Sequence, residues 1–216
     1  MSCNIKGLFE IHVTVDNLDV VDLLFYCKQK NYKAIFACSG RGSDNTQSQA
    51  MMSKWCSGTS DVAIQKANSI AKDLSESGFS VLRVKVEAMQ CNEGVPATKE
   101  DAKKCILGTY FEFHLKYPPR ECRLENEKLF EDACLVSAKI KSECEFKFGV
   151  STNILSQKVG SLFTIRVFDS WKEEAQSIKD QFLDGLKELG YRSNDGIQQE
   201  WAFFDTDKTI DDGWLV

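Results

Sequence analysis

The sequence predicts an α+β protein made of two tandem ferredoxin-like halves, each with the element order βαββαβ and an antiparallel sheet. Two observations lead to this prediction. Residues 9–14 read FEIHVT and residues 111–116 read FEFHLK, and each copy is followed by the same order of helical and strand-like segments. In such a half, two helices cover one face of the sheet and leave the other face open. We expect the two open faces to form a shared cleft.

The first half is predicted over residues 1–90. Hydrophobic periodicity places six elements in order: a strand at 8–15, a helix at 18–30, strands at 32–38 and 49–56, a helix at 60–77 and a strand at 80–89. Asp16 or Asn17 can cap the first helix, and Gly78 ends the second. A glycine- and serine-rich loop is expected at 39–45. The strand after it has a weak pattern and is predicted only with the support of the repeat.

A connector with a short helix after Thr98 is predicted at 91–108, and the second half at 109–206. The repeat places a strand at 110–117, a helix at 125–139, strands at 144–151 and 162–168, a helix at 170–189 and a strand at 197–205. Pro118 and Pro119 indicate a turn after the first of these strands, and residues 170–173 read as a capping box. A C-terminal tail at 207–216 has an apolar end, which either docks onto the body or contacts a partner. We expect it to dock.

Composition excludes several classes of protein. The net charge of −5 argues against general nucleic-acid binding, which favours a basic surface. No run approaches the roughly 18 apolar residues that a membrane helix needs, and residues 1–7 have no apolar signal core. We therefore expect no membrane association and a cytoplasmic location. The nine cysteines contain no Cys-x-x-Cys motif, so we expect reduced structural thiols, with no metal and no cofactor.

The duplicated strands predict the candidate site, because alternate side chains of a strand point to opposite faces. His12 and His114, the two histidines of the chain, fall on the polar face of each copy and are the candidate catalytic residues. The candidate ligand-binding residues are Glu10, Thr14, Arg83, Lys85, Glu112, Lys116 and Arg166. Glu87, Lys147, Ser151, Asn153 and Thr164 complete the predicted face. Its cations predict a small anionic ligand such as a phosphate ester. The alternative is that these charges form an ordinary solvated sheet face.

His12-Val13-Thr14 and the paired His114 strand resemble the two-histidine phosphoesterase superfamily. In that family two His-x-Thr/Ser motifs face each other across a cleft. The resemblance implies that one imidazole is a general base and the other a general acid, and that the hydroxyls hold a phosphate. Histidine suits both roles because it titrates near neutrality. This sequence departs from the pattern at Lys116, where the family has threonine or serine.

Two other functions fit the sequence. The opening residues 11–16 also resemble a glyoxalase or vicinal-oxygen-chelate module, which implies a metal-dependent enzyme with His12 as a ligand and Glu10, Glu112 or His114 completing the site. That module is β-α-β-β-β, however, and has no place for the helices at 60–77 and 170–189. The third function is non-catalytic binding of a small ligand or a protein through the sheets. No particular protein partner is indicated.

Overall fold

The structure is a computed structural model that describes residues 4–39, 47–105, 107–118, 123–155, 160–193 and 197–216. Most of the loop predicted at 39–45, and Pro119 of the predicted turn, lie outside the described residues. The elements are β1 (Lys6–Val15), α1 (Val20–Lys30), β2 (Lys33–Ser39), β3 (Ser48–Thr59), α2 (Ser60–Glu76), β4 (Val81–Met89), α3 (Lys99–Ala102), β5 (Tyr110–Tyr117), α4 (Arg123–Ser137), β6 (Phe146–Asn153), β7 (Ser161–Phe168), α5 (Lys172–Glu188) and β8 (Gln198–Asp205).

The eight strands close into one antiparallel barrel in the order β1-β3-β2-β6-β7-β5-β8-β4. Within the barrel each half keeps the ferredoxin-like arrangement, in which the first strand lies between the third and the fourth. The halves join edge to edge, through β2 with β6 and through β4 with β8. The predicted tandem ferredoxin-like α+β fold is therefore confirmed, and the open faces of the two sheets form the barrel interior.

The apolar face of each repeated strand packs against helices outside the barrel. Phe9, Ile11 and Val13 of β1 are fully buried in a core that includes four residues of α2 spaced along one side of that helix. Phe111, Phe113 and Leu115 of β5 are buried in the same way, with α5 as the principal covering helix. Burying each such side chain contributes about 1.5–3 kcal/mol. This outward burial leaves the polar faces of β1 and β5 directed inwards.

Among the local predictions that differ from the structure, three have a cause in its contacts. β3 extends to Thr59, beyond the predicted 56, because its pairing with β1 continues to the Lys6–Thr59 pair. β6 starts at Phe146 instead of 144, since the Ser142 hydroxyl donates to the Cys144 carbonyl and accepts from the Cys144 amide in a turn. The capping box predicted at 170–173 is wrong: Trp171 is the N-cap of α5 and makes no side-chain cap, and the Ser170 hydroxyl donates to the Trp171 carbonyl.

The tail docks onto the body, as expected. Phe148 and Val216 exchange two backbone hydrogen bonds, of 2.9 and 3.0 Å. Trp214 and Leu215 are buried, and a Cβ at Gly149 would lie 2.8 Å from the Trp214 carbonyl oxygen. Since β2 pairs with β6 only from Ser151 onwards, the tail covers the part of the β6 edge that β2 leaves open.

The cysteines in the described part of the chain are free thiols. Cys27, the most deeply buried, packs in the core, and burial raises its pKa to about 11, which leaves it protonated and unreactive at neutral pH. Cys3 and Cys122 lie outside the described residues. None of the described helices has the length and apolar character required to span a bilayer.

Candidate functional site

The barrel interior contains a cavity of about 130 Å³ that has contrasting walls. Its polar side chains are His12, Thr14, Gln49, Arg83, Lys85, Glu112, His114, Ser151, Thr164, Arg166 and Asp211. Its apolar side chains are Ile35, Ala37, Met51, Leu162, Trp214 and Leu215. A water molecule needs roughly 10–15 Å³ measured in this way, so the cavity has room for several waters or a small organic molecule.

Strand pairing sets the neighbours of the two histidines. His12 on β1 lies opposite Ser53 of β3 and Lys85 of β4. His114 on β5 occupies the equivalent position in the second half, opposite Thr164 of β7 and Gln198 of β8. Both imidazoles line the cavity, as the duplicated motif predicted.

Among the described residues, the His12 imidazole has polar contacts at Nε2 and none at Nδ1. Its Nε2 atom lies 3.1 Å from Oε2 of Glu87 and 3.8 Å from Oε1 of Glu10. Because Nε2 faces carboxylate acceptors, it carries the proton, and Nδ1 is the basic nitrogen of the neutral ring. Nδ1 is buried and has no hydrogen-bond partner among the described residues. A buried polar atom without a partner is uncommon and calls for a ligand or a water.

Both nitrogens of the His114 imidazole are occupied. Nε2 lies 3.0 Å from Oε1 of Glu112, and Nδ1 lies 3.0 Å from the hydroxyl of Thr164. With the proton on Nε2, Nδ1 accepts from that hydroxyl. The two copies of the motif therefore differ, and within the described residues His12 is the histidine whose Nδ1 has no partner.

A chain of charged contacts joins the two histidines across the halves. Lys85 Nζ lies 2.9 Å from Oε1 of Glu87, which contacts His12, and 3.1 Å from Oε1 of Glu112, which contacts His114. Burial alone would lower the pKa of Lys85, but Glu112 and Glu87 raise it above its ordinary value, so Lys85 is charged. Despite burial, Arg166 and Lys85 hold the pKa of Glu112 well below its ordinary value. The contacts of Lys85 with Glu87 and Glu112 are therefore ionic at neutral pH.

Two arginines from different halves meet at one carboxylate of the tail. Nη1 of Arg83 donates to Oδ2 of Asp211 at 2.8 Å, and Nη1 of Arg166 donates to the same oxygen. Each arginine also has a carboxylate of the barrel: Asp205 accepts from two nitrogens of Arg83, and Glu112 accepts from Nε of Arg166. Burial would raise the pKa of Asp211, but the two arginines lower it to about 2.

Glu200 differs from Glu87, Glu112, Asp205 and Asp211 in having a raised pKa. It is fully buried on β8, opposite Glu112, and neither carboxylate oxygen makes a hydrogen bond of normal geometry with a described residue. Burial, together with the charges of Glu87 and Glu10, raises its pKa well above the ordinary value. The neutral, protonated form of this side chain is therefore favoured.

The structure brings most of the predicted residues together. The cavity lining includes His12, Thr14, Arg83, Lys85, Glu112, His114 and Arg166. Glu10 is buried beside the cavity, where it accepts hydrogen bonds from Ser53 and from Gln198. Lys116 is exposed near the end of β5 and lies outside the cavity lining, so its predicted contact with a ligand in the cavity is not supported.

The interior is not the cationic surface that the sequence predicted. Arg83, Lys85 and Arg166 are each paired with at least two carboxylates. The carboxylates that the prediction omitted are Glu200, Asp205 and Asp211. The alternation rule would have identified Glu200, because it occupies on β8 the position that Glu87 occupies on β4. Asp211 had no comparable signal, since it lies beyond the last strand.

A metal centre has no evident donor set in the described part of the chain. No group of three histidine, cysteine, aspartate or glutamate side chains there is arranged to hold a metal ion. The glyoxalase-like alternative requires such a group around His12. Glu10 and Glu87 are instead occupied by Ser53, Gln198 and Lys85.

Comparisons with known proteins add little to this geometry. No protein-family model matches the sequence, and no curated protein matches it. A chlorite dismutase from Candidatus Nitrospira defluvii is 8% identical, with 96% of this chain and 93% of that chain covered and a TM-score of 0.33. The regulatory subunit of aspartate kinase from Thermus thermophilus is 9% identical, with 85% and 95% covered and a TM-score of 0.30. At such scores neither likeness bears on the chemistry of the cavity.

Proposed function

We propose that this protein binds a small organic molecule inside the barrel, with His12 as its polar contact. The observation that carries the proposal is the Nδ1 atom of His12, which is buried on a cavity-lining residue and has no partner among the described residues. A ligand that donates a hydrogen bond would satisfy this nitrogen. Met51, Leu162 and other apolar side chains supply the apolar part of the lining. Pockets that bind small molecules commonly combine an apolar lining with a few placed polar groups.

Phenol is a suitable probe, because it carries one hydroxyl donor on an apolar ring. We expect its affinity, measured by ligand-detected NMR titration, to fall roughly tenfold in His12→Leu, the value of one buried hydrogen bond. His114→Leu is the matched control, since it also removes a cavity-lining imidazole but one whose Nδ1 is already bonded to Thr164. Toluene, which lacks the donor, should bind both variants equally. Unchanged phenol affinity in His12→Leu would contradict the proposal.

A second candidate is acid–base turnover of a phosphate ester, as the resemblance to two-histidine phosphoesterases implies. One observation favours it: each imidazole has a threonine nearby. Thr14 lines the cavity near His12, and the hydroxyl of Thr164 on β7 lies 3.0 Å from Nδ1 of His114, although the motif of His114 itself carries Lys116. His12, with its free Nδ1, would be the base. Release of nitrophenol from bis(p-nitrophenyl) phosphate, lost in His12→Ala, would establish the activity. Release no faster than the uncatalysed rate would rule out this activity and leave ligand binding as the proposed function.

A further inference from the structure

Asp211 occupies a subsite that the barrel itself constructs. Nη1 of Arg83 and Nη1 of Arg166 both donate to its Oδ2, and Nε2 of Gln49 donates to its Oδ1 at 2.7 Å. The three donors come from β4, β7 and β3, whereas the acceptor belongs to the tail. Guanidinium groups arranged in this way recognise carboxylates and phosphates.

The barrel carboxylates leave these donors available for a further anion. Asp205 binds Nε and Nη2 of Arg83, and Glu112 binds Nε of Arg166, so the Nη1 atoms are the groups that converge on Asp211. The Arg166 guanidinium is fixed by its position 4.7 Å from the centre of the Tyr110 ring. Removal of the Asp211 carboxylate would therefore leave a preorganised subsite for one anionic group.

The same tail also supplies apolar surface to the cavity. Trp214 and Leu215 line it and are buried, on the same short segment as Asp211. The segment thus presents a carboxylate and an indole together, held in place by the backbone pair of Val216 with Phe148. An organic acid with an apolar body reproduces both features.

We propose that the natural ligand is a small organic acid with an apolar or aromatic body, and that its carboxylate replaces Asp211 between Arg83 and Arg166 as the tail is displaced. The proposal rests on the proposed function, because the same cavity must accept the ligand. It explains why buried arginines line a cavity in which each of them is already paired with carboxylates. The tail is then a built-in competitor, and its occupancy of the subsite lowers the apparent affinity for the acid.

Indole-3-acetate is the probe, with neutral indole-3-acetamide as its isostere. We expect Asp211→Ser to bind indole-3-acetate at least about tenfold more tightly than the wild type in calorimetric titration, because the competing carboxylate is gone. The affinity for the amide should change much less. Asp212→Ser is the matched control: this exposed neighbour belongs to the same segment, and its affinity for the acid should equal that of the wild type.

Hydrogen exchange of the wild-type protein tests displacement without a substitution and covers a failure of Asp211→Ser to fold. Saturating indole-3-acetate should accelerate exchange at the amides of Phe148 and Val216, which protect each other in the docked tail. Equal affinity of Asp211→Ser and wild type for the acid, no binding by either, or full protection of both amides in the complex would overturn the proposal. The phenol comparison at His12 is unaffected by these outcomes, so the two proposals fail separately.

Discussion

Nζ of Lys85 in the first half lies 3.1 Å from Oε1 of Glu112 in the second half. With Glu87, these residues form a buried ionic chain that joins the glutamate beside His12 to the glutamate beside His114. The lysine stands where the second half has Gln198, as the strand pairing with each histidine shows. One side of the duplicated site therefore supplies the cation that neutralises acids from both sides.

Lys85→Met should destabilise the protein strongly. The substitution leaves Glu87 and Glu112 buried with one cation fewer, and breaking a buried ion pair in this way costs about 3–5 kcal/mol. Urea unfolding monitored by circular dichroism measures the change in the free energy of unfolding. Lys116→Met is the control on an exposed lysine of β5, expected to change stability by less than about 0.5 kcal/mol. A cost for Lys85→Met as small as that of the control would refute the ionic chain.

Glu200→Gln should stabilise the protein at neutral and alkaline pH. The folded-state pKa of Glu200 is raised by burial and by Glu87 and Glu10, so the folded protein binds a proton that the unfolded chain has already lost. Above the ordinary glutamate pKa, wild-type stability therefore falls as pH rises towards the raised value, and a glutamine does not contribute this loss. Melting temperatures from pH 4 to 9 should diverge with increasing pH. Glu188→Gln, at an exposed glutamate, should follow the wild type throughout.

Asp211→Asn should destabilise the protein at neutral pH, and this effect should become smaller at low pH. The arginines lower the pKa of Asp211 to about 2, so its ionised form stabilises the fold above the ordinary aspartate pKa, and this contribution is lost as pH falls towards 2. The shift corresponds to about 2 kcal/mol at pH 7. Chemical unfolding at pH 7 and pH 2.5 measures the difference between variant and wild type. A difference that stays constant between the two pH values would show that Asp211 acts only through packing.

Thr164→Val should release the second histidine from its partner. The substitution preserves the shape of the side chain and removes the hydroxyl that lies 3.0 Å from Nδ1 of His114. We expect the free energy of unfolding to fall by about 1 kcal/mol. The ¹⁵N NMR chemical shift of the His114 Nδ1 atom should move towards that of the His12 Nδ1 atom. Thr14→Val is the control, because the Thr14 hydroxyl makes no hydrogen bond with a described histidine. An unaltered His114 shift in Thr164→Val would contradict the assigned contact.

Much of the architecture was predictable because the same order of strands and helices occurs twice in the sequence. The repeated hexapeptide fixed the polar face that carries Glu10 and His12, and the same alternation placed Lys85 and Arg166 in the interior. The predicted ligand contact of Lys116 is not supported, because alternation gives only the side of a strand on which a residue lies. This residue is near the end of β5, where its side chain is exposed. Asp211 could not be placed, since its contacts depend on barrel closure and on the path of a segment with no repeat counterpart. Edge-to-edge closure itself also has no local signal in either half.

Covalent linkage of the two halves has a consequence for how a guest molecule sits. A barrel assembled from two identical chains presents the same groups on both sides of its two-fold axis, so an unsymmetrical guest can lie in either of two equivalent directions. Here the matched positions hold Lys85 and Gln198, or Ser53 and Thr164, which makes the two directions inequivalent. The internal repeat within one chain has thus given this barrel a polarity, so that the two directions of an unsymmetrical guest molecule would meet different side chains.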